Sequence, residues 1–237
     1  MDRRKFNSAT VGTFVSLSTV LAFTYRQAYA LSLADLTPGE ASQGLKAALE
    51  KGASVAVSLL GQSGGFMNND KVRIPLPGFL DDAAKLLKTL GQGRQVDELI
   101  AAMNHAAETA VPMAKDMLVS AVKGMSVTDA KNILTGGDNA VTQFFAEKTR
   151  EPLGVKFLPV VTQAIDKVGL AARYNSFAGK AASFGLVKKE DANLQGYVTG
   201  KSLDGLYLII GEEEKKIRQD PMGAGSAILG KVFGALK

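Results

Sequence analysis

The sequence predicts a mainly α fold: a compact multi-helix, bundle-like domain with one small β-hairpin or extended loop near residues 62–77, preceded by a signal peptide. Three observations predict it. Apolar residues recur at helical spacing over long windows, capping residues mark several helix starts, and only the stretch 61–78 is dense enough in glycine and proline to exclude a helix. With 237 residues, 46% of them hydrophobic, the chain can bury a sizeable core and is too apolar for disorder. It has no cysteine, which removes disulfides, thiolate metal sites, catalytic thiols and lipid attachment at a cysteine.

Residues 1–30 read as a targeting peptide: a basic start, a moderately apolar stretch from Val11 to Phe23, and a small-x-small cleavage site at Ala28-Tyr29-Ala30. The start, Asp2-Arg3-Arg4-Lys5-Phe6, looks like the twin-arginine signal that exports folded proteins. Gly12, Thr13, Ser16, Ser18 and Thr19 dilute the apolar stretch, and Arg26 precedes the cleavage site, both in keeping with that route. Cleavage after Ala30 is expected to leave residues 31–237 as a single helical domain in the periplasm, with no transmembrane span, since its apolar runs are too short. The leader also holds much of the positive charge. Four of the 28 basic side chains and one of the 23 acidic ones lie in residues 1–30, which leaves 24 against 22. That near balance, with few aromatic residues, argues against a nucleic-acid partner.

Thr37-Pro38-Gly39-Glu40 reads as a capping box, with proline at the first helical position, so the first helix runs to about Leu60. Within 61–78, Phe66-Met67 and Val72-Arg73-Ile74 flank the turn-like Asn68-Asn69-Asp70, which suits a hairpin. Loops this long are often functional, although a packed connector is the simpler expectation. A helix over 79–90 ends at Gly91 and Gly93. One long amphipathic helix follows over 94–123, kinked at Pro112 on its solvent side. Ser126-Val127-Thr128-Asp129 starts a short helix that stops at Gly136-Gly137, and another begins near Asp138 and carries Val141, Phe144 and Phe145. Later helices are expected over 153–168, 170–184, 192–218, continuous or interrupted at Gly200, and 222–236. Asp-Ala pairs at 82–83, 129–130 and 191–192 open helices at unequal intervals, which is shared capping chemistry and not a repeat.

Chemical motifs are sparse. His105 is the only histidine, so histidine-clustered metal sites are excluded; helical counting turns it to solvent. Gly196 to Ser202 imitates a phosphate-binding loop but has three residues between its glycines where four are needed, and no strand precedes it. The glycines of 61–65 lack the dinucleotide fingerprint. In the helix after Gly200, Leu203, Leu206, Ile210 and Ile217 form an apolar stripe edged by Tyr207, and Glu214 falls on it. A carboxylate there needs a cation or hydrogen-bond donors, and Arg218, four residues on, is the nearest partner. Glu212, Glu213, Lys215 and Lys216 read as a solvated flank. Asn104 and Glu108 lie beside the stripe of the long helix, where a polar group could approach a cleft. The candidate polar cluster is therefore Asn104, Glu108, Asp129, Glu214 and Arg218, proposed for binding. No residue is assigned a catalytic, cofactor-binding or metal-binding role, and no cofactor is expected.

Several segments carry a resemblance: Val72-Arg73-Ile74-Pro75-Leu76-Pro77, Met103-Asn104-His105-Ala106-Ala107-Glu108, and Asp129-Ala130-Lys131-Asn132-Ile133-Leu134 with Gly136. Leu203-Asp204-Gly205-Leu206 through Glu213-Glu214, Arg218, Asp220 and Pro221, and the ending Leu229-Gly230-Lys231-Val232-Phe233-Gly234, complete it. Together they resemble DUF4197, a bacterial family of small envelope proteins of unknown function. Many members look like lipoproteins, whereas this chain has no cysteine, so the resemblance implies an envelope address without lipid attachment. It supplies no activity and no catalytic residues.

Two function classes follow. One is a non-catalytic periplasmic binding or scaffold module for an apolar or lipid-like small molecule or an envelope component, with the loop covering a groove beside Met103, Met113 and Met117. The alternative is a carboxylate-dependent hydrolase acting on an envelope polymer, with Glu214, Glu108 or Asp129 as acid or base and Arg218 orienting.

Overall fold

The structure, a computed structural model, describes residues 38–78, 93–137, 140–167 and 193–220, with isolated positions at 84, 89, 91, 171, 172, 174 and 175. The expected leader, the capping Thr37, the helix expected at 222–236 and most of those expected at 79–90 and 170–184 lie outside the described residues. The helices are α1 (Pro38–Leu60), α2 (Gly93–Ala110), α3 (Lys115–Lys123), α4 (Val127–Thr135), α5 (Ala140–Ile165) and α6 (Leu194–Gln219), with a 3-10 turn (Val111–Ala114) between α2 and α3. Among the described residues every regular element is helical. Helix α6 packs against α5, α1 and α2; α5 packs against α2; α3 and α4 pack against α1. One core joins them, running from Leu45, Leu49 and Leu60 through Leu99 and Met103 to Phe145, Phe157, Leu206 and Ile210, all shielded from solvent.

Prolines account for the largest departures from expectation. The helix expected over 94–123 is broken into α2, the 3-10 turn and α3, because Pro112 lacks an N–H and its ring crowds the preceding turn. Pro112 does face solvent, while Val111 and Ala114 are buried. Conversely, the separate helices expected from 138 and over 153–168 are one, α5, which contains Pro152 and Pro159. Both prolines are exposed, so the carbonyls they leave unpaired, at Lys148 and Val155, can bond to water. Helix α6 continues through Gly200, the uninterrupted alternative; its cap is Asn193, whose side chain accepts the Gly196 N–H at 2.6 Å. Helix α4 starts where expected, and its start is closed as a capping box: Ser126 accepts the Asp129 N–H, and Asp129 accepts the Ser126 N–H, both at 3.0 Å.

The 61–78 segment forms the extended-loop alternative, not the hairpin. Residues 63–72 are turns, opened by Gly64 in the left-handed region at φ 80°. Residues 73–77 form no regular element; burial alternates as far as Leu76, with Ile74 and Leu76 inside and Arg73 and Pro75 outside, and Pro77 is buried as well. Strand pairing fails here for a local reason: Pro75 and Pro77 have no N–H to offer, and both backbone groups of Ile74 are taken by a side chain of α2.

Candidate functional site

Helix α2 places Asn104 and Glu108 four residues apart, and so on one face, against the loop. Asn104 pairs with Ile74 in both directions, its Oδ1 accepting the Ile74 N–H at 2.9 Å and its Nδ2 donating to the Ile74 carbonyl at 3.0 Å. The same Nδ2 donates to the Ile100 carbonyl at 2.8 Å. Glu108 Oε1 accepts the N–H groups of Phe66 and Met67 at 3.1 and 3.2 Å. Asn104 and Glu108 are both buried. A buried carboxylate is stabilised by such donors, which replace the water it gives up. His105 lies outside in solvent, as expected, with Nδ1 3.8 Å from Glu108 Oε2, an ion pair only when the imidazole is protonated.

Helix α6 holds the loop from the other side. The Tyr197 hydroxyl donates to the Pro75 carbonyl at 3.1 Å, and Lys71 pairs with Glu212 at 2.6 Å. Gly205 makes room for the loop's apolar side chains: a Cβ there would meet Phe66 Cε1 at 2.9 Å and the Val72 Cβ at 3.2 Å. Phe66, Val72, Ile74 and Leu76 are buried as a result. Of the five candidate residues, Asn104 and Glu108 are thus brought together, as a clamp on a packed connector.

The others lie elsewhere. Asp129 sits at the start of α4, where the backbone N–H and then the hydroxyl of Ser126, helped by Lys148, hold its carboxyl below the usual range against a small opposing effect of burial. Glu214 lies buried on the apolar face of α6, as its position on the stripe predicts. The side chain of Arg218, and with it the expected Glu214–Arg218 pair, lies outside the described residues.

A different group of polar residues surrounds an open depression of about 380 Å³ between α4 and the first turns of α5. Ile133 and Phe144 are its buried floor, and Asp129, Asn132, Gln143 and Glu147 line it. Gly136 lets the chain turn tightly there, since a Cβ would stand 2.5 Å from the Asn132 carbonyl oxygen and 2.6 Å from the Ala140 Cβ. The side chains of Asn132, Gln143 and Glu147 are exposed and make no hydrogen bond or ion pair with any described residue. Sequence reasoning selected Asp129 alone from this group. The available signal was polar residues at helical spacing on both sides of the Gly136-Gly137 stop. A second depression, about 260 Å³ between α1 and α6, includes Glu213 and Lys216, which pair with each other.

Among the described residues no helix is long and apolar enough to cross a membrane, and no three histidine, aspartate or glutamate side chains cluster as metal ligands would. No curated protein and no solved structure matches the chain. Residues 35–234 match a family described as "protein of unknown function (DUF4197)", and on the strength of a match that spans most of its length the chain belongs to that family.

Proposed function

We propose that the chain is a non-catalytic binding or scaffold module of the periplasm, exported by a leader cleaved after Ala30, with the α4–α5 depression as its ligand seat. One observation carries this reading: three of the four polar side chains at the depression, those of Asn132, Gln143 and Glu147, bond to no described residue, whereas those at the loop are engaged. Hydrolysis by paired carboxylates needs an acid and a base that face one substrate. Glu108 is instead committed to two amides in the core, and Asp129 to its own helix cap. An apolar ligand beneath the loop is disfavoured because Phe66, Val72, Ile74 and Leu76 occupy that volume and Met103 is sealed in the core. The depression, with a polar rim over a small apolar floor, suits a ligand that presents hydrogen-bond donors.

Titration of ¹⁵N-labelled protein with fractionated soluble envelope extract tests this. Amide shifts at Asn132, Gly137 and Gln143, with the fraction unchanged by mass spectrometry, are expected. Cleaved products in the fraction would establish the hydrolase instead. N-terminal sequencing of periplasmic protein should begin at Leu31, and replacing both Arg3 and Arg4 with lysine should retain it in the cytoplasm.

A further inference from the structure

The α4–α5 depression presents two carboxylates and two side-chain amides whose oxygens can accept; no cationic side chain lines it among the described residues, and Lys148 acts on Asp129 from outside the lining. Both hydrogen bonds that Asp129 accepts from Ser126 fall on Oδ2, so Oδ1 remains open. Glu147 adds a whole carboxylate, and Asn132 and Gln143 add amide oxygens, with no described residue bonded to any of the three. The floor of Ile133 and Phe144 gives a hydrocarbon arm a surface to lie on.

We infer that this depression binds a primary ammonium carried on a short hydrocarbon arm, with Asp129 and Glu147 as counter-charges and Asn132 and Gln143 as acceptors for its remaining protons. The inference rests on reading the depression as the ligand seat. An ammonium has three donors and no acceptor, which this lining complements, whereas a carboxylate or phosphate would meet two like charges. The chemistry fits a lysine-type side chain of a peptide or a free polyamine.

The experiment titrates labelled protein with N-acetyl-lysine amide, 1,5-diaminopentane, 1-pentanol and pentanoate, and follows the amides of Gly137, Gln143 and Phe144. Saturable shifts with both amines are expected at roughly millimolar concentration, the range a few exposed charge contacts sustain, with weakening as salt rises. Glu147→Gln should weaken the amines about threefold, as befits an exposed ion pair. Glu147 is preferred to Asp129 as the test position because it takes no part in a helix cap. A shift with N-acetyl-lysine amide that exceeds the diamine's identifies a peptide source; the reverse identifies a polyamine. If pentanol or pentanoate shifts these amides as strongly as the amines, the ammonium class is overturned while the seat survives. If no probe shifts them at up to roughly 50 mM, far above that affinity range, the inference is overturned, and the envelope-extract titration decides the seat independently.

Discussion

Two groups of polar side chains on this chain are put to opposite use. On α2, Asn104 and Glu108 are buried and each is bonded to loop backbone, five hydrogen bonds between them, including one from Asn104 to its own helix. Around the α4–α5 depression, Asn132, Gln143 and Glu147 are exposed and bonded to no described residue. The residue types are the same, amides and a carboxylate: Asn104 with Glu108, and Asn132 and Gln143 with Glu147. Burial separates them: a polar group removed from water must be paired within the protein, whereas one left in water can exchange that water for a ligand. A carboxylate beside an apolar stripe is therefore a weaker pointer to function than one at the rim of a shallow cavity.

The contrast is broken most severely at Asn104. Asn104→Ala leaves the N–H and carbonyl of Ile74 without their partner in the core, and we expect a loss of about 3 to 4 kcal/mol, given roughly 1 to 3 for each stranded group. The shift in urea midpoint measures it. Asn104→Asp, which keeps the size but turns a carboxylate oxygen toward the Ile74 carbonyl, should be no better. A loss below about 1 kcal/mol in both would mean that the loop is not clamped as described.

Gly205→Ala should follow, at about 1 to 2 kcal/mol. Alanine gains up to about 1 kcal/mol of helix propensity, but the new methyl meets Phe66 and Val72 in a filled core, where overpacking costs about 1 to 3 kcal/mol. Glu108→Gln retains one acceptor oxygen and removes the charge that strengthens its two bonds, for a loss of about 1 to 2 kcal/mol. Hydrogen exchange locates the effect: the Phe66 and Met67 amides should exchange roughly tenfold faster, while those of α4 keep their protection.

The helices themselves were legible wherever capping chemistry or apolar periodicity was strong. Ser126 and Asp129 announce α4, and Leu203, Leu206, Ile210 and Ile217 announce the buried face of α6. Proline misled in both directions, since its effect depends on which face it occupies and what packs beside it: Pro112 ends α2, whereas Pro152 and Pro159 sit in the middle of α5. The loop's conformation was not legible, because the side chain that replaces a partner strand, Asn104, lies thirty residues along the chain from Ile74. The depression was legible only in part, since polar residues at helical spacing flank Gly136-Gly137 but the packing of the two helices is not written in that spacing. It exists only where two helices, joined through Gly136-Gly137, bring their polar edges together.

Asp129 belongs to both regions in part, and its pH dependence separates the two roles. Its carboxyl is held below the usual range by Ser126, so the cap's contribution is present above the ordinary aspartate range and is lost as pH falls through the lowered folded value. Ser126→Ala should lower stability by about 1 kcal/mol at neutral pH, the ordinary worth of a helix cap. Asp129→Asn should lower it less, and its difference from the parent chain should vanish once the solution is acid enough to protonate the folded aspartate. A difference that persists in strong acid would show that Asp129 stabilises the fold by contacts other than the cap.

The smallest expected effect on stability is the most informative. Gln143→Ala and Glu147→Gln should each shift the unfolding free energy by less than about 0.5 kcal/mol, as for surface positions without fixed partners. If Glu147→Gln instead destabilises by more than about 1 kcal/mol, its carboxylate is structural after all, and the depression becomes a second clamp of the Asn104 kind. Unchanged stability combined with weakened amine binding has no such explanation. A side chain that adds nothing to the fold and yet governs occupancy of a cavity is placed there by what enters it.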